Sequence, residues 1–164
     1  MKPLKLVFYP DSKLRRKSIP IIKDRHLPQI AKLFEHMDRT IKFFQIKSLS
    51  APQIGVGFRA VSFLREGVPF HLINPKIIKS DGKMEMEEVC ASLPHFHGYV
   101  SRNSEIEVEF TDLNGDTKRE TFIGEEAGTV QHEIEHLDGI LFIDKVSKLK
   151  RDMMMKRLKK LGKI

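Results

Sequence analysis

The sequence has a single cysteine, Cys90, and no long hydrophobic run. One cysteine cannot form an internal disulfide, so its thiol is free for other chemistry. No stretch of about 18 or more apolar residues is present, which argues against a membrane-spanning helix. The apolar run near the N-terminus is short and is interrupted by Pro3 and Pro10, so we expect no signal peptide and a cytoplasmic location.

The length and the charge distribution predict one domain with a distinct C-terminal segment. The 164 residues, 40% of them hydrophobic, are enough for one sizeable core, so we predict a single domain over residues 1–164. Residues 147–164 hold eight Lys or Arg and one acid, whereas residues 1–146 hold 21 of each. We predict a basic helix capped by Ser147, which suits a polyanion such as RNA, an acidic membrane surface or a solvated face.

Hydrophobic periodicity predicts an α+β fold. A helix is expected over residues 27–44, where apolar residues recur at intervals of three and four, and an ordered loop over 46–57. Strands are expected at 59–64, 69–74 with an extension at 76–78, 85–90, 105–112 and 117–123. Since these strands precede separate helices, we predict mostly antiparallel sheets packed around a central helix, followed by the C-terminal helix.

The motif QHEIEH at residues 131–136 indicates a metal site on that central helix, which we predict over 125–138. His132 and His136 would be one helical turn apart on one face, which is the spacing of two metal ligands. Glu133 follows the first histidine and could act as a general base on a water activated by the metal. The alternative is a solvated helix with unrelated histidines.

Two histidines leave a divalent metal short of a protein ligand, and Cys90 is the obvious third donor. Two neutral imidazoles and a thiolate leave the fourth tetrahedral position open, as in catalytic sites. Taken alone, Cys90 would be interpreted as a small buried hydrophobic residue, but the HExxH motif favours a ligand.

Three motifs in this order resemble those of the peptide deformylases, which remove the formyl group from the N-terminal methionine of nascent chains. The family's G-h-G-h-A-A-x-Q loop is similar to IKSLSAPQ at 46–53, E-G-C-h-S to EVCAS at 88–92, and Q-H-E-h-D-H to QHEIEH. The segments YPDSKLRRKSIPI and INPKII are similar as well, so the resemblance spans nearly the whole chain.

The resemblance implies a metal-dependent hydrolase that releases formate from a formyl-Met nascent peptide. Glu133 would be the general base, and the carboxamide of Gln53 and the backbone N–H of Ala91 would stabilise the oxyanion. The implied ion is Fe(II), with Zn(II), Ni(II) or Co(II) able to use the same ligands. The implied metal ligands are Cys90, His132 and His136. The candidate substrate-binding residues are Ser48, Leu49, Met86, Glu88, Val89, His97 and Thr129.

The chain departs from the family motifs beside the expected substrate path. Ile46 and Ser48 stand where the first motif has glycines, and Val89 stands where the second has glycine before the cysteine. If those glycines use positive φ, a β-branched Ile or Val would be strained there and the loop would have a different shape.

Other departures concern the substrate pocket. His97 stands where many family members carry an arginine. Glu125, Gly128 and Thr129 lie where the family usually has larger apolar residues, which predicts a more polar or differently shaped pocket.

Two other functions stay open. A metallopeptidase of the HExxH type would explain QHEIEH but gives no role to Gln53 or Cys90. A weak or inactive deformylase-like paralogue with an altered cleft would keep the metal for folding and have a binding role. By the resemblance, the basic helix at 147–164 would contact the ribosome through its RNA, and no membrane partner is expected.

Overall fold

The computed structural model describes residues 3–162, with only the backbone of residues 23–28. Its α-helices are α1 (Lys23–Phe44), α2 (Gly124–Leu137) and α3 (Lys148–Lys160). Its strands are β1 (Ser48–Ser50), β2 (Ala60–Arg65), β3 (Val68–Asp81), β4 (Met84–Cys90), β5 (Leu93–Arg102), β6 (Glu105–Thr111) and β7 (Thr117–Ile123). The predicted α+β class is confirmed. Within the described range, no helix is both long and apolar enough to cross a bilayer.

The strands form a five-stranded antiparallel sheet of order β1-β2-β3-β6-β7 and a separate hairpin of β4 and β5. Successive side chains on a strand point to opposite faces of a sheet. Val61 and Leu72 therefore pack against α2 on one face, whereas Ala60 and Ile73 pack with α1 on the other. The central helix α2 also contacts β4. This arrangement places α2 between the large sheet and the hairpin, whose first strand, β4, ends at Cys90.

Helix α2 is buried on more than one face because it has neighbours on more than one side. Its apolar residues at intervals of three and four pack on the sheet: Ala127, Val130, Ile134 and Leu137. The polar residues of QHEIEH are buried too, apart from the half-buried Glu135. A helix that buries polar side chains must supply partners for them, which indicates a site rather than a simple core.

Helix α3 is anchored by its cap and by apolar residues, since Met154 and Met155 also pack, partly buried, against the cluster that holds Leu158. The Ser147 hydroxyl accepts a hydrogen bond from the Lys150 backbone N–H at 3.3 Å, as predicted for a cap. Leu158 is buried in a cluster that includes Cys90 and Phe142. The predicted C-terminal helix is thus confirmed, and its last two predicted residues, 163–164, lie outside the described range.

The structure corrects several predicted boundaries. The segment at 46–57 is not all loop: it contains β1 and a 3-10 turn, Ala51–Ile54. The strand predicted at 69–74 with an extension at 76–78 is β3, which continues to Asp81, and its pairing with β6 is irregular around Pro75 because proline has no N–H to donate. Helix α1 begins four residues before the predicted start.

Strand β5 was not predicted at all. It contains Pro94, Gly98 and two histidines, residues with little preference for strands, and its conformation depends on pairing with β4. Its omission hid the position of Arg102, which is important for the metal centre.

Gly139 lies just after the end of α2, in a conformation and a packing that only glycine fits. Its φ is +74°, and an added Cβ would lie 2.4 Å from the carbonyl oxygen of Arg15. Gly124 has a φ of +60° but no atom within 4 Å of such a Cβ. We expect Gly139→Ala to lower the free energy of unfolding by about 2–5 kcal/mol, and Gly124→Ala by about 1–2 kcal/mol, in denaturant titrations. Equal losses would contradict the close approach of Arg15.

Candidate metal centre

Strand β4 and helix α2 bring three metal-ligating side chains together. Cys90 Sγ lies 3.2 Å from His136 Nε2, which lies 3.2 Å from His132 Nε2. All three donor atoms lie within 4.8 Å of one another, and all three residues are buried. Tetrahedral ligands at metal distances of about 2.0–2.3 Å are about 3.3–3.6 Å apart, so the donor set fits one divalent ion.

Glu88 orients His132 for metal binding. Its Oε2 lies 2.8 Å from His132 Nδ1, which leaves Nε2 of that ring facing the other two ligands. Arg102 donates from Nη2 to the same Oε2 at 3.0 Å, and from Nε to Oε1. Burial raises the pKa of Glu88, but these hydrogen bonds from His132 and Arg102 outweigh it and lower the pKa to about 2. Glu88 is therefore an anion at neutral pH.

The two histidines differ in their proton affinity. Burial and the nearby His132 lower the pKa of His136 well below its usual value, so His136 is neutral. Burial would also lower the pKa of His132, but its hydrogen bonds to Cys90 and Glu88 outweigh burial and raise it well above the usual value. A metal ion and a proton compete for the same ring nitrogen, so metal binding at His132 would release a proton.

Glu133 lies beside this triad with one carboxylate oxygen held and the other free. Its Oε1 accepts a 2.6 Å hydrogen bond from the Ser48 hydroxyl. Its Oε2 is buried and has no hydrogen-bond partner among the described residues. Burial raises the pKa of Glu133 and outweighs the nearby His132 and the hydroxyls of Ser48 and Ser50, which lower it. A buried carboxylate with raised proton affinity and a free oxygen is suited to general-base chemistry.

Gln53 is oriented so that its amide N–H group points at the centre. Its Oε1 accepts hydrogen bonds from the Ser50 backbone N–H at 2.8 Å and the Ser50 hydroxyl at 3.1 Å. Its Nε2 then lies 3.5 Å from Cys90 Sγ. Ala91 follows Cys90 at the end of β4 and faces the same space. The resemblance to the family implies that these two groups are oxyanion donors, and both line the cleft beside Cys90.

A cleft of about 360 Å³ leads to the metal-ligating residues. Its walls come from β4 and Ala91, from one side of α2 between Glu125 and Glu133, and from residues 45–48 together with Gln53. The lining residues are Gln45, Ile46, Lys47, Ser48, Gln53, Met86, Glu87, Glu88, Val89, Cys90, Ala91, Glu125, Thr129, His132 and Glu133.

Four of the candidate substrate-binding residues line the cleft with accessible side chains: Ser48, Met86, Val89 and Thr129. Glu88 also borders it, but its carboxylate is occupied by Arg102 and His132, so it positions a metal ligand and has no free oxygen for substrate.

Two candidates lie elsewhere. Leu49 is fully buried in the core beside α1, because alternation along β1 turns it away from the cleft. His97 lies on β5 with its side chain 70% exposed, 3.7 Å from Glu87, and it is not among the cleft-lining residues described.

The departures from the family motifs do not strain the backbone. The non-glycine residues with positive φ in the described chain are Gln45, Glu66 and Asn74, so Ile46 and Val89 are outside the left-handed region. The expected strain at those positions is therefore absent.

The missing side chain at Gly128 is replaced by Met86 of the neighbouring strand β4. A Cβ added there would lie 2.3 Å from Met86 Sδ, so the methionine fills the space that a larger residue on α2 would occupy. Met86 also lines the cleft and supplies an apolar surface there. Polar side chains line the cleft too, among them Lys47 and Glu125, which form an exposed 2.6 Å ion pair.

Sequence reasoning missed Arg102. Its side chain is 1% exposed and bridges Glu88 with Glu135, which also pairs with Lys145. A buried arginine needs such partners, because an unpaired charge in the interior is costly. No local motif surrounds Arg102, and only the pairing of β5 with β4 reveals its role.

Comparison with known proteins assigns the chain to a family. The sequence model of the polypeptide deformylase family matches residues 3–152. A peptide deformylase of Afipia carboxidovorans is 37% identical over 165 residues, which are 97% of this chain and 95% of that protein. The chain belongs to the polypeptide deformylase family. Members of this family are metalloenzymes that act on formyl-Met nascent peptides.

Solved deformylase structures agree with this assignment. The crystal structure of a peptide deformylase from Legionella pneumophila has a TM-score of 0.88 and 33% identity, covering 98% of this chain and 96% of that one. The deformylase from Ehrlichia chaffeensis has a TM-score of 0.88 and 32% identity, covering 98% and 97%. The similarity supports a deformylase enzyme, and it supports neither a general metallopeptidase nor an inactive paralogue.

The role of Glu88 predicts a change in metal affinity. Glu88→Gln keeps the shape of the side chain but removes the charge that orients His132, so we expect divalent metal to bind about 10–100-fold more weakly. Competition with a chromophoric chelator measures this affinity. The matched control is Glu85→Gln, an exposed acid on the same strand, which should bind metal as the unmodified protein does. Unchanged affinity in the folded Glu88→Gln variant would contradict the orienting role.

Proposed function

We propose that this protein hydrolyses the N-formyl group of an N-terminal methionine on newly synthesised polypeptides, releasing formate. The observation that carries the proposal is the free, buried Oε2 of Glu133 beside the convergent donors of Cys90, His132 and His136. Glu133, Cys90 and His132 line the cleft of about 360 Å³, and His136 is buried beside them.

Each group at the site has its own role in the reaction. A divalent ion held by the three ligands would supply an activated water and polarise the formyl carbonyl. Glu133 takes the proton of that water at Oε2 while Ser48 holds Oε1. Gln53 Nε2 and the backbone N–H of Ala91 donate hydrogen bonds to the carbonyl oxygen as negative charge develops on it. Glu133 then gives the proton to the departing amine, so one water and one formamide become formate and a free N-terminus.

Fe(II) is the proposed native ion. One thiolate and two imidazoles also suit Zn(II), Ni(II) and Co(II), and the resemblance of the motifs to the family favours iron. The proposed substrate contacts are Met86, Val89 and Thr129, which line the cleft, whereas the Ser48 hydroxyl lines it but bonds Glu133.

The mechanism makes Glu133 essential for turnover but not for metal retention. We expect the Fe(II)- or Ni(II)-loaded protein to release formate from a formyl-Met tripeptide. Glu133→Gln should reduce kcat by about 10²–10⁴-fold while its metal content stays the same, because the amide cannot take a proton. The control Glu105→Gln, which changes an exposed acid at the start of β6, should have the activity of the unmodified protein. Absence of formate release by the metal-loaded, unmodified protein would refute the proposed function.

We further propose that α3 contacts ribosomal RNA. The exposed cations on α3 are Lys148, Lys150, Lys156, Arg157, Lys159 and Lys160. Leu149 and Met153, one turn apart, are also exposed on this helix. Clustered cations beside a small apolar surface suit a phosphate backbone, and such contacts weaken with salt.

Charge reversal tests this contact better than truncation, because Leu158 belongs to the core and deleting α3 would disturb the fold. We expect the triple change Lys156→Glu, Lys159→Glu and Lys160→Glu to weaken binding to ribosomes at least about 10-fold at about 0.1 M salt. The matched control reverses three exposed lysines elsewhere, Lys32, Lys42 and Lys83, and should bind as the unmodified protein does. Equal binding by the α3 variant in cosedimentation would contradict the contact.

A further inference from the structure

The two oxygens of the Glu133 carboxylate have different surroundings. Oε1 accepts the 2.6 Å hydrogen bond from Ser48, whereas Oε2 has no partner among the described residues although it is buried. An ionised carboxylate only accepts hydrogen bonds, so the Ser48 hydroxyl is the donor in this pair. A short bond to a charged acceptor is stronger than one between neutral groups. The Ser50 hydroxyl, which bonds Gln53 Oε1, is also near enough to lower the pKa of Glu133. The short bond from Ser48 to Oε1 therefore favours one orientation of the carboxylate.

Ser48 is held by the sheet and not by a mobile loop. It is the first residue of β1 and pairs with Phe63 of β2, and the preceding Lys47 carbonyl accepts a 2.8 Å hydrogen bond from the Leu64 N–H. Alternation along β1 sends Leu49 into the core beside α1 and the serines on either side of it toward α2. The hydroxyl thus comes from a fixed strand and the carboxylate from a buried helix.

We propose that Ser48 is a positioning residue that holds the general base Glu133 with Oε2 turned toward the reacting water. The motif that IKSLSAPQ resembles has glycine at this position, and glycine offers no side-chain donor. The hydroxyl is thus an addition of this chain beside the reacting centre. Its kinetic consequence rests on the proposed function, whereas its structural consequence does not.

Removing the hydroxyl should affect turnover more than substrate binding. Without the Ser48 hydroxyl, the Glu133 carboxylate can rotate about the last torsion of its side chain. Oε2 is then no longer directed at the water. Misplacement of a catalytic group lowers kcat, and we expect a loss of about 3–10-fold in Ser48→Ala with KM nearly unchanged. Ser48→Thr keeps a hydroxyl on Cβ, so its kcat should be close to that of the unmodified protein.

The kinetic experiment compares four proteins with equal metal content: the unmodified protein, Ser48→Ala, Ser48→Thr and the control Ser80→Ala, which changes an exposed serine on β3. Formate release from a formyl-Met tripeptide gives kcat and KM. The Ser48→Ala change is also made in the Glu133→Gln background, where it should have no further effect on kcat. An unchanged or higher kcat in Ser48→Ala, or an equal loss in both backgrounds, would overturn the proposal.

Crystal structures decide the structural part without any turnover. In the unmodified protein the Ser48 hydroxyl should contact Glu133 Oε1, and in Ser48→Ala the carboxylate should be rotated or should adopt two orientations. A carboxylate with the same single orientation in both structures would overturn the proposal. If the unmodified protein releases no formate, the proposed function fails, and these two structures still test the positioning role of Ser48.

Discussion

The carboxylate of Glu88 is the interaction on which the metal centre depends. It joins β4, β5 and α2, since it accepts hydrogen bonds from Arg102 and lies 2.8 Å from His132 Nδ1. Both partners of the Glu88–Arg102 ion pair have side chains that are 1% exposed. Removing one member of such a buried pair typically costs about 3–5 kcal/mol, because the other charge is left without compensation. The hairpin, the helix and the orientation of a metal ligand are thus fixed by the same buried charges.

The central part of the site was predictable from local spacing. The interval of four residues between His132 and His136 fixes a shared helical face whatever surrounds the helix, and the structure places both donors 3.2 Å apart. Cys90 followed from the number of ligands that a divalent metal needs, and it lies beside them. The α+β class followed from the two kinds of hydrophobic period. These inferences depend on short-range geometry, which a sequence records directly.

The surroundings of the site were less predictable because they depend on long-range pairing. Strand β5 contains a proline and is specified by its partner strand, so the position of Arg102 could not be found from its neighbours in sequence. Leu49 was expected in the cleft, but a one-residue alternation on β1 sends it into the core. The contact of Ser48 with Glu133 joins residues 85 positions apart, and only the folded chain shows that the serine adds a donor there.

The central claim is that one thiolate and two imidazoles on β4 and α2 hold a single ion beside Glu133. The extended fine structure of the X-ray absorption spectrum, recorded above the edge of the metal bound to the purified protein, measures these ligands directly. One sulfur at about 2.3 Å and two imidazole nitrogens at about 2.0–2.1 Å are expected, with the sulfur lost in Cys90→Ser. A spectrum without sulfur in the unmodified protein, or with more than one sulfur per metal, would contradict the account.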